Sequence, residues 1–135
     1  MADRLTPERR SANMARIRAK DTKPEMIVRR MVHRLGARYR LHRKDLPGKP
    51  DLVFGPRRKV IFVHGCFWHL HSCRDGRIPA SRRDYWEPKL TRNVERDAAA
   101  CAALEAAGWQ VLVIWECEIR DCQILEQRLR SFLGL

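Results

Sequence analysis

The stretch VIFVHGCFWHLHSC, Val60 to Cys73, sets a hydrophobic strand, three histidines, two cysteines and two adjacent aromatics within fourteen residues. A plain core segment needs no such mixture, so a bound group is expected there. Cys66, His71 and Cys73 lie within eight residues and supply three of the four soft or borderline donors that tetrahedral zinc takes. The fourth must come from another part of the chain. Cys117, ending the run VLVIWEC, is the best candidate, because one strand can bring its end beside another's whatever their separation in sequence. His64 and His69 fall outside that set. A closed zinc site takes four ligands, so two further histidines suggest a second chemical centre, against the plainer alternative of surface imidazoles. Phe67 and Trp68 follow Cys66 in a loop that buries little, and are either packed on the zinc knuckle or exposed for stacking.

Working outward, the strand Lys59 to His64 is preceded by Asp51 to Phe54, with Gly55 and Pro56 turning the chain between them, so an antiparallel pair is expected. That pairing is expected to set Asp51 beside His64. Tyr39 to His42 reads as a shorter strand ahead of a turn built on Pro47, Gly48 and Pro50. Thr22 to Glu25 form a T-x-x-E capping box with Pro24 in the first turn, starting a helix with an apolar face of Ile27, Val28, Met31, Val32 and Leu35 that ends at Gly36. Glu25 is then either the capping acid alone or a second carboxylate beside Asp51 in a divalent-metal site, the kind that magnesium fills.

Beyond Cys73 the period is lost, and Cys66 to Pro88 reads as a long functional loop carrying Tyr85 and Trp86. A helix is expected from about Thr91 to Ala107, with Val94, Ala98, Cys101 and Leu104 on one face and Lys89, Arg92, Asn93 and Arg96 near its start. Trp109 to Trp115 reads as a fully buried apolar strand. Asp121 is expected to cap a last helix bearing Ile124, Leu125, Leu129, Phe132 and Leu133. Helix, three strands, helix, strand, helix describes an α/β sandwich with a mixed sheet, parallel across the helical crossover.

The chain has 135 residues and a net charge of +12, enough for one domain with a real core. Its charge is uneven: residues 1 to 44 carry +10, and residues 45 to 135 only +2. Such a basic front suggests phosphate contacts along a nucleic acid, with a membrane surface as the weaker alternative for want of an amphipathic aromatic helix. Residues 1 to 20 form a basic arm with few apolar residues, expected to order only on meeting a polyanion, ahead of one folded unit at 21 to 135. No apolar run is long enough to span a bilayer, and five cysteines, three of them near histidines, fit metal binding in a reducing compartment. A cytoplasmic protein is expected.

These residues, RSANMARIRAKDTKPE, PGKPDLVF, VIFVHGCFWHLHSC, YWEPKLTRNVERD and GWQVLVIWEC, together resemble the very short patch repair (Vsr) family of DNA mismatch endonucleases across nearly the whole chain. The resemblance implies an α/β fold of the PD-(D/E)xK nuclease type, a central mixed sheet flanked by helices with a structural zinc site. The family's proline and aspartate fall on Pro50 and Asp51, and Phe62 and His64 stand where the wider fold has Glu-x-Lys. It further implies Asp51 as the magnesium-binding carboxylate, with the backbone carbonyl of Val63 as another ligand. Val63 replaces a threonine common in the family, a change that leaves the carbonyl in place. His69 corresponds to the general base, and His64 and Glu25 to groups that order water at the metal. Cys66, His71, Cys73 and Cys117 correspond to the zinc ligands.

By the same resemblance, Phe67, Trp68 and Trp86 correspond to an aromatic wedge entering the duplex, Lys89 and Asn93 to readers of the mismatched pair, and Met14 to a minor-groove probe. The implied reaction is Mg-dependent hydrolysis of one strand on the 5′ side of thymine in a T·G mismatch left by deamination of 5-methylcytosine. The implied partner is duplex DNA holding that mismatch, met by a monomer, with mismatch-repair proteins as a further class of partner. A zinc-stabilised DNA-binding module with an idle centre, and a restriction-type nuclease of the same fold, are the alternatives.

Overall fold

A computed structural model describes residues 22–73 and 76–135. Met14 and the basic arm of residues 1 to 20 lie outside them. The first helix, α1 (Lys23–Arg34), starts where the sequence marks it: Thr22 Oγ1 accepts the Glu25 N–H at 3.4 Å, and Pro24 sits in the first turn. Only half of the expected capping box forms, because the Glu25 carboxylate turns instead toward Arg29 and His42. Val28, Met31 and Val32 are buried at helical spacing, each contributing about 2 kcal/mol of apolar burial. Gly36, at φ +87°, takes the left-handed turn that ends the helix.

Four strands follow: β1 (Arg40–Leu41), β2 (Leu52–Phe54), β3 (Lys59–His64) and β4 (Gln110–Trp115), lying in the order β1-β2-β3-β4. β1 with β2 and β2 with β3 are antiparallel, and β3 with β4 is parallel, as the intervening helix α2 (Arg83–Ala106) requires. A 3-10 segment (Glu116–Arg120) leads into α3 (Cys122–Leu133), whose first amides at Gln123 and Ile124 are capped by the Asp121 carboxylate.

Alternation along the strands divides the core into two layers. Leu52, Phe54, Ile61 and Ile114 face one way and pack with Val28 and Val32 of α1 and Leu125, Leu129 and Leu133 of α3. Val53, Val60 and Phe62 face the other way, with Leu104 of α2 and Trp109. The result is a mixed sheet flanked by helices.

Several local expectations are corrected. β1 is only two residues long and exposed, because His42, at φ +50°, turns the chain out of the sheet. β4 is an edge strand rather than a fully buried one. Ile114 is buried, Gln110 is exposed and the others are half-covered, since no strand pairs beyond it among the described residues. α2 begins at Arg83, so Tyr85, Trp86 and Pro88 are helical. Pro88 is tolerated one turn in because its missing N–H costs a single bond to Asp84, and Leu90, fully buried, anchors the same turn. Val94 and Ile124, expected in the core, are exposed.

Candidate active site and metal centres

The site lies in a cleft of about 580 Å³ between α1, the end of β3 and the middle of α2. Its floor is set by a close approach: Gly48, at φ +73°, packs so tightly that a Cβ there would stand 2.7 Å from the Ala100 Cβ and 3.1 Å from the Phe62 ring. Only glycine fits, and the turn carrying Asp51 is thereby pressed against α2.

Asp51 lies one residue before β2, and its N–H donates to the Ile61 carbonyl at 3.1 Å. The β2–β3 register sets it opposite Phe62 rather than beside His64, a correction that follows from Leu52 pairing with Ile61. Its Oδ2 accepts the Val63 N–H at 2.6 Å. Glu25, only 1% exposed, is its neighbour across the cleft. Burial, reinforced by the nearby Glu25 charge, pushes the Asp51 carboxyl up to about 7, although the Val63 N–H and Arg29 pull the other way. Two acids held this close fit a cation between them, and Glu25, His42 and Asp51 each place a donor within 4.8 Å of the others.

Facing them, the His64 and His69 rings stack at 3.8 Å and 8°. His64 is 6% exposed, and burial, with the adjacent His69, lowers its imidazole to about 4. His69 Nδ1 pairs with Asp97 Oδ2, so the carboxylate fixes the ring and directs Nε2 away from α2. Asp97 was missed from sequence. Its signal is helical spacing, since Lys89, Asn93 and Asp97 fall four residues apart on one face.

Cys66, His71, Cys73 and Cys117 are brought together as expected, with all four donor atoms within 4.8 Å of one another. Cys117 Sγ lies 3.5 Å from His71 Nδ1, close to the roughly 3.5 Å separating sulfur and nitrogen donors around tetrahedral zinc. Burial pushes the Cys66 thiol up to about 12, so four such donors are crowded at a cost that a bound zinc, which takes thiolates, would offset. Trp115 joins the two centres. It stacks on His71 at 4.2 Å and meets the His64 ring edge-on at 5.2 Å.

Above the cleft Phe67, Trp68 and Trp86 form a triangle with ring centres 5.1, 5.3 and 5.9 Å apart. Tyr85 leans on Trp86 at 4.9 Å, and Lys89 Nζ stands 5.5 to 5.8 Å from the Trp68, Tyr85 and Trp86 rings. Asn93 donates to the Trp68 carbonyl at 3.0 Å, tying the loop of the Cys/His cluster to α2.

Residues 2–75, which include the loop and most of its donors, match the model of the family described as DNA mismatch endonuclease Vsr. The chain belongs to the Vsr family. Among its relatives, the type II nicking enzyme V.XorIIP of Xanthomonas oryzae pv. oryzae is 57% identical over 133 residues, covering 98% of both chains. The DNA mismatch endonuclease Vsr of Escherichia coli is 42% identical over 120 residues, covering 89% of this chain and 77% of that one. The catalytic domain of homing endonuclease I-Bth0305I superposes with a TM-score of 0.60 at 20% identity, over 83% of this chain and 94% of that domain, a likeness of fold. The Vsr chain is thus a DNA-cleaving hydrolase with a nuclease fold, and no helix among its described residues is long and apolar enough to cross a membrane.

Proposed function

We propose that this endonuclease nicks one strand of duplex DNA on the 5′ side of a thymine mispaired with guanine, using Mg2+ at Asp51 and a structural Zn2+ at Cys66, His71, Cys73 and Cys117. The observation that carries the reading is the His69–Asp97 pair, stacked on His64 and facing the Asp51 and Glu25 carboxylates in one cleft beneath three aromatic rings. The relatives described as nicking enzymes and as a mismatch endonuclease support cleavage of a single strand at a mispair.

Asp51 and the Val63 carbonyl are the oxygen donors that would hold a hard divalent ion. Such an ion, when bound, supplies positive charge to the scissile phosphate and its leaving 3′ oxygen. Asp97 accepts the Nδ1 proton of His69, leaving Nε2 as the atom that removes a proton from the attacking water. His64, kept neutral at working pH by its burial, stacks on His69 without opposing the charge that ring acquires. Glu25, held by Arg29, orients water on the α1 side.

Phe67, Trp68 and Trp86 brace one another edge to face, a rigid set of rings suited to entering a weakened base step. Unstacking costs a few kcal/mol, and less at a wobble pair, which favours the mismatch. Lys89, held among the Trp68, Tyr85 and Trp86 rings, and Asn93, which anchors the loop at Trp68, would meet the mispaired bases there. The reading is of a monomer on DNA, with the four zinc donors supplied by a single chain.

The test is nicking of a T·G duplex against its T·A counterpart, with Mg2+ and with EDTA. A single nick 5′ of the mispaired thymine that requires both mismatch and Mg2+ is expected. Equal cutting of the T·A duplex would reject mismatch specificity in favour of a restriction-type activity.

A further inference from the structure

His42 belongs to none of the motifs that define the catalytic centre, yet the fold brings it there. Its N–H donates to the Asp51 carbonyl at 3.4 Å, so the pairing of β1 with β2 carries it alongside the acid. Its left-handed backbone, at φ +50°, places the ring beside the two carboxylates. Nε2 lies 2.9 Å from Glu25 Oε2, and Nδ1 lies 4.0 Å from Asp51 Oδ1. The ring is therefore held by a carboxylate at one nitrogen and presents the other toward Asp51. A histidine whose far nitrogen is fixed by a carboxylate is the usual form of a metal-ligating imidazole. Two ligands each about 2.1 to 2.3 Å from a shared ion stand roughly 3 to 4.4 Å apart, which accommodates the Nδ1 to Oδ1 separation. Arg29 Nη2, in contact with Glu25 and 2.9 Å from His42 Nε2, offers that nitrogen no acceptor, so with Nε2–H given to Glu25 it neighbours the ring by charge alone, and the same charge reaches Asp51.

We propose that His42 Nδ1 is a ligand of the divalent ion at Asp51, oriented by Glu25 through Nε2–H, and that this nitrogen makes the centre favour Mn2+ or Co2+ over Mg2+. The proposal rests on the endonuclease reading above, which sets the ion at Asp51. An all-oxygen set suits the hard magnesium ion, whereas imidazole nitrogen is a borderline donor that raises affinity for first-row transition ions. Mn2+ would then support the reaction at lower concentration than Mg2+.

The experiment uses the full-length, zinc-loaded chain with Mn2+ as the probe. Electron spin echo modulation detects a nitrogen bound directly to manganese, and titrations give the Mn2+ and Mg2+ affinities. The wild type is expected to show the nitrogen signal. His42→Gln is expected to lose it and to bind Mn2+ about tenfold more weakly, with Mg2+ affinity changed less than twofold. His42→Asp, which returns an oxygen donor, is expected to hold the ion and shift the preference toward Mg2+. Persistence of the signal in His42→Gln, or equal weakening of both ions, would overturn the role of His42. Asp51→Asn separates the two readings. Loss of Mn2+ there, with His42→Gln unaffected, removes only the ligand assignment; Mn2+ binding that survives Asp51→Asn removes the placement of the ion itself.

Discussion

Asp97 bonds to His69, the base in the proposed reaction, and its effect should be correspondingly specific. Asp97→Asn keeps the size of the side chain but substitutes an amide for the carboxylate that accepts from Nδ1. Turnover is expected to fall by about 100-fold or more, while the affinity for mismatched duplex stays within about twofold, read by single-turnover nicking and by equilibrium binding. His64 carries a pH signature. Its imidazole is lowered to about 4 from an ordinary 6.5, so between those values the unfolded chain binds a proton that the folded one refuses. The stability this ring confers is present above pH 6.5 and is lost as pH falls through the window toward 4. Denaturation at pH 7 and pH 5 should show His64→Gln losing less stability than the wild type over that interval; an identical loss would remove the assignment. Of the residues that meet in the cleft, Asp51, His64 and His69 were legible because proline, glycine and cysteine neighbours mark them in sequence. His42 and Asp97 were not. Each sits in an ordinary amphipathic context and acquires its meaning only from a partner brought up by the sheet or the helix.

At the level of elements, the zinc loop is the piece with the least apolar burial of its own, since Phe67, Trp68, His71 and Cys73 are all only partly covered. Its order must come from Cys117, in the 3-10 segment just past β4, and from the bond between Asn93 and the Trp68 carbonyl. Cys73→Ala is therefore expected to release zinc and to lower the melting temperature by several degrees, measured by metal release and calorimetry, whereas Cys122→Ala, an exposed thiol outside the cluster, should do neither. The strand order and the parallel crossover could be read from the order of elements. The start of α2 could not, because Pro88 and the turn formers around it imitate a loop, and only the packing of Trp86 on Phe67 and Trp68 and the burial of Leu90 show why the helix begins eight residues earlier. β4 misled for a related reason. An apolar run reports what covers its two faces and is silent about whether a strand lies beyond it.

Over the whole molecule, charge and chemistry are separated along the chain. Residues 1 to 44 carry +10 and the remainder +2, while most of the catalytic and metal donors lie after residue 44. Binding to duplex DNA should accordingly weaken steeply with salt. Removing residues 1 to 20 should make the logarithmic salt slope shallower by about 0.9 for every phosphate that the arm neutralises, measured by fluorescence anisotropy from about 50 to 200 mM salt. An unchanged slope would show that the arm does not meet the backbone.

Trp115 gives the two centres a common wall, one face laid on a zinc-ligand ring and its edge against the buried imidazole. With zinc at that cluster as proposed, exchanging it for the larger cadmium ion would press His71 against the indole and so reach the stacked histidines. Fastener and cutting edge would then share one beam, so that loosening the first should blunt the second.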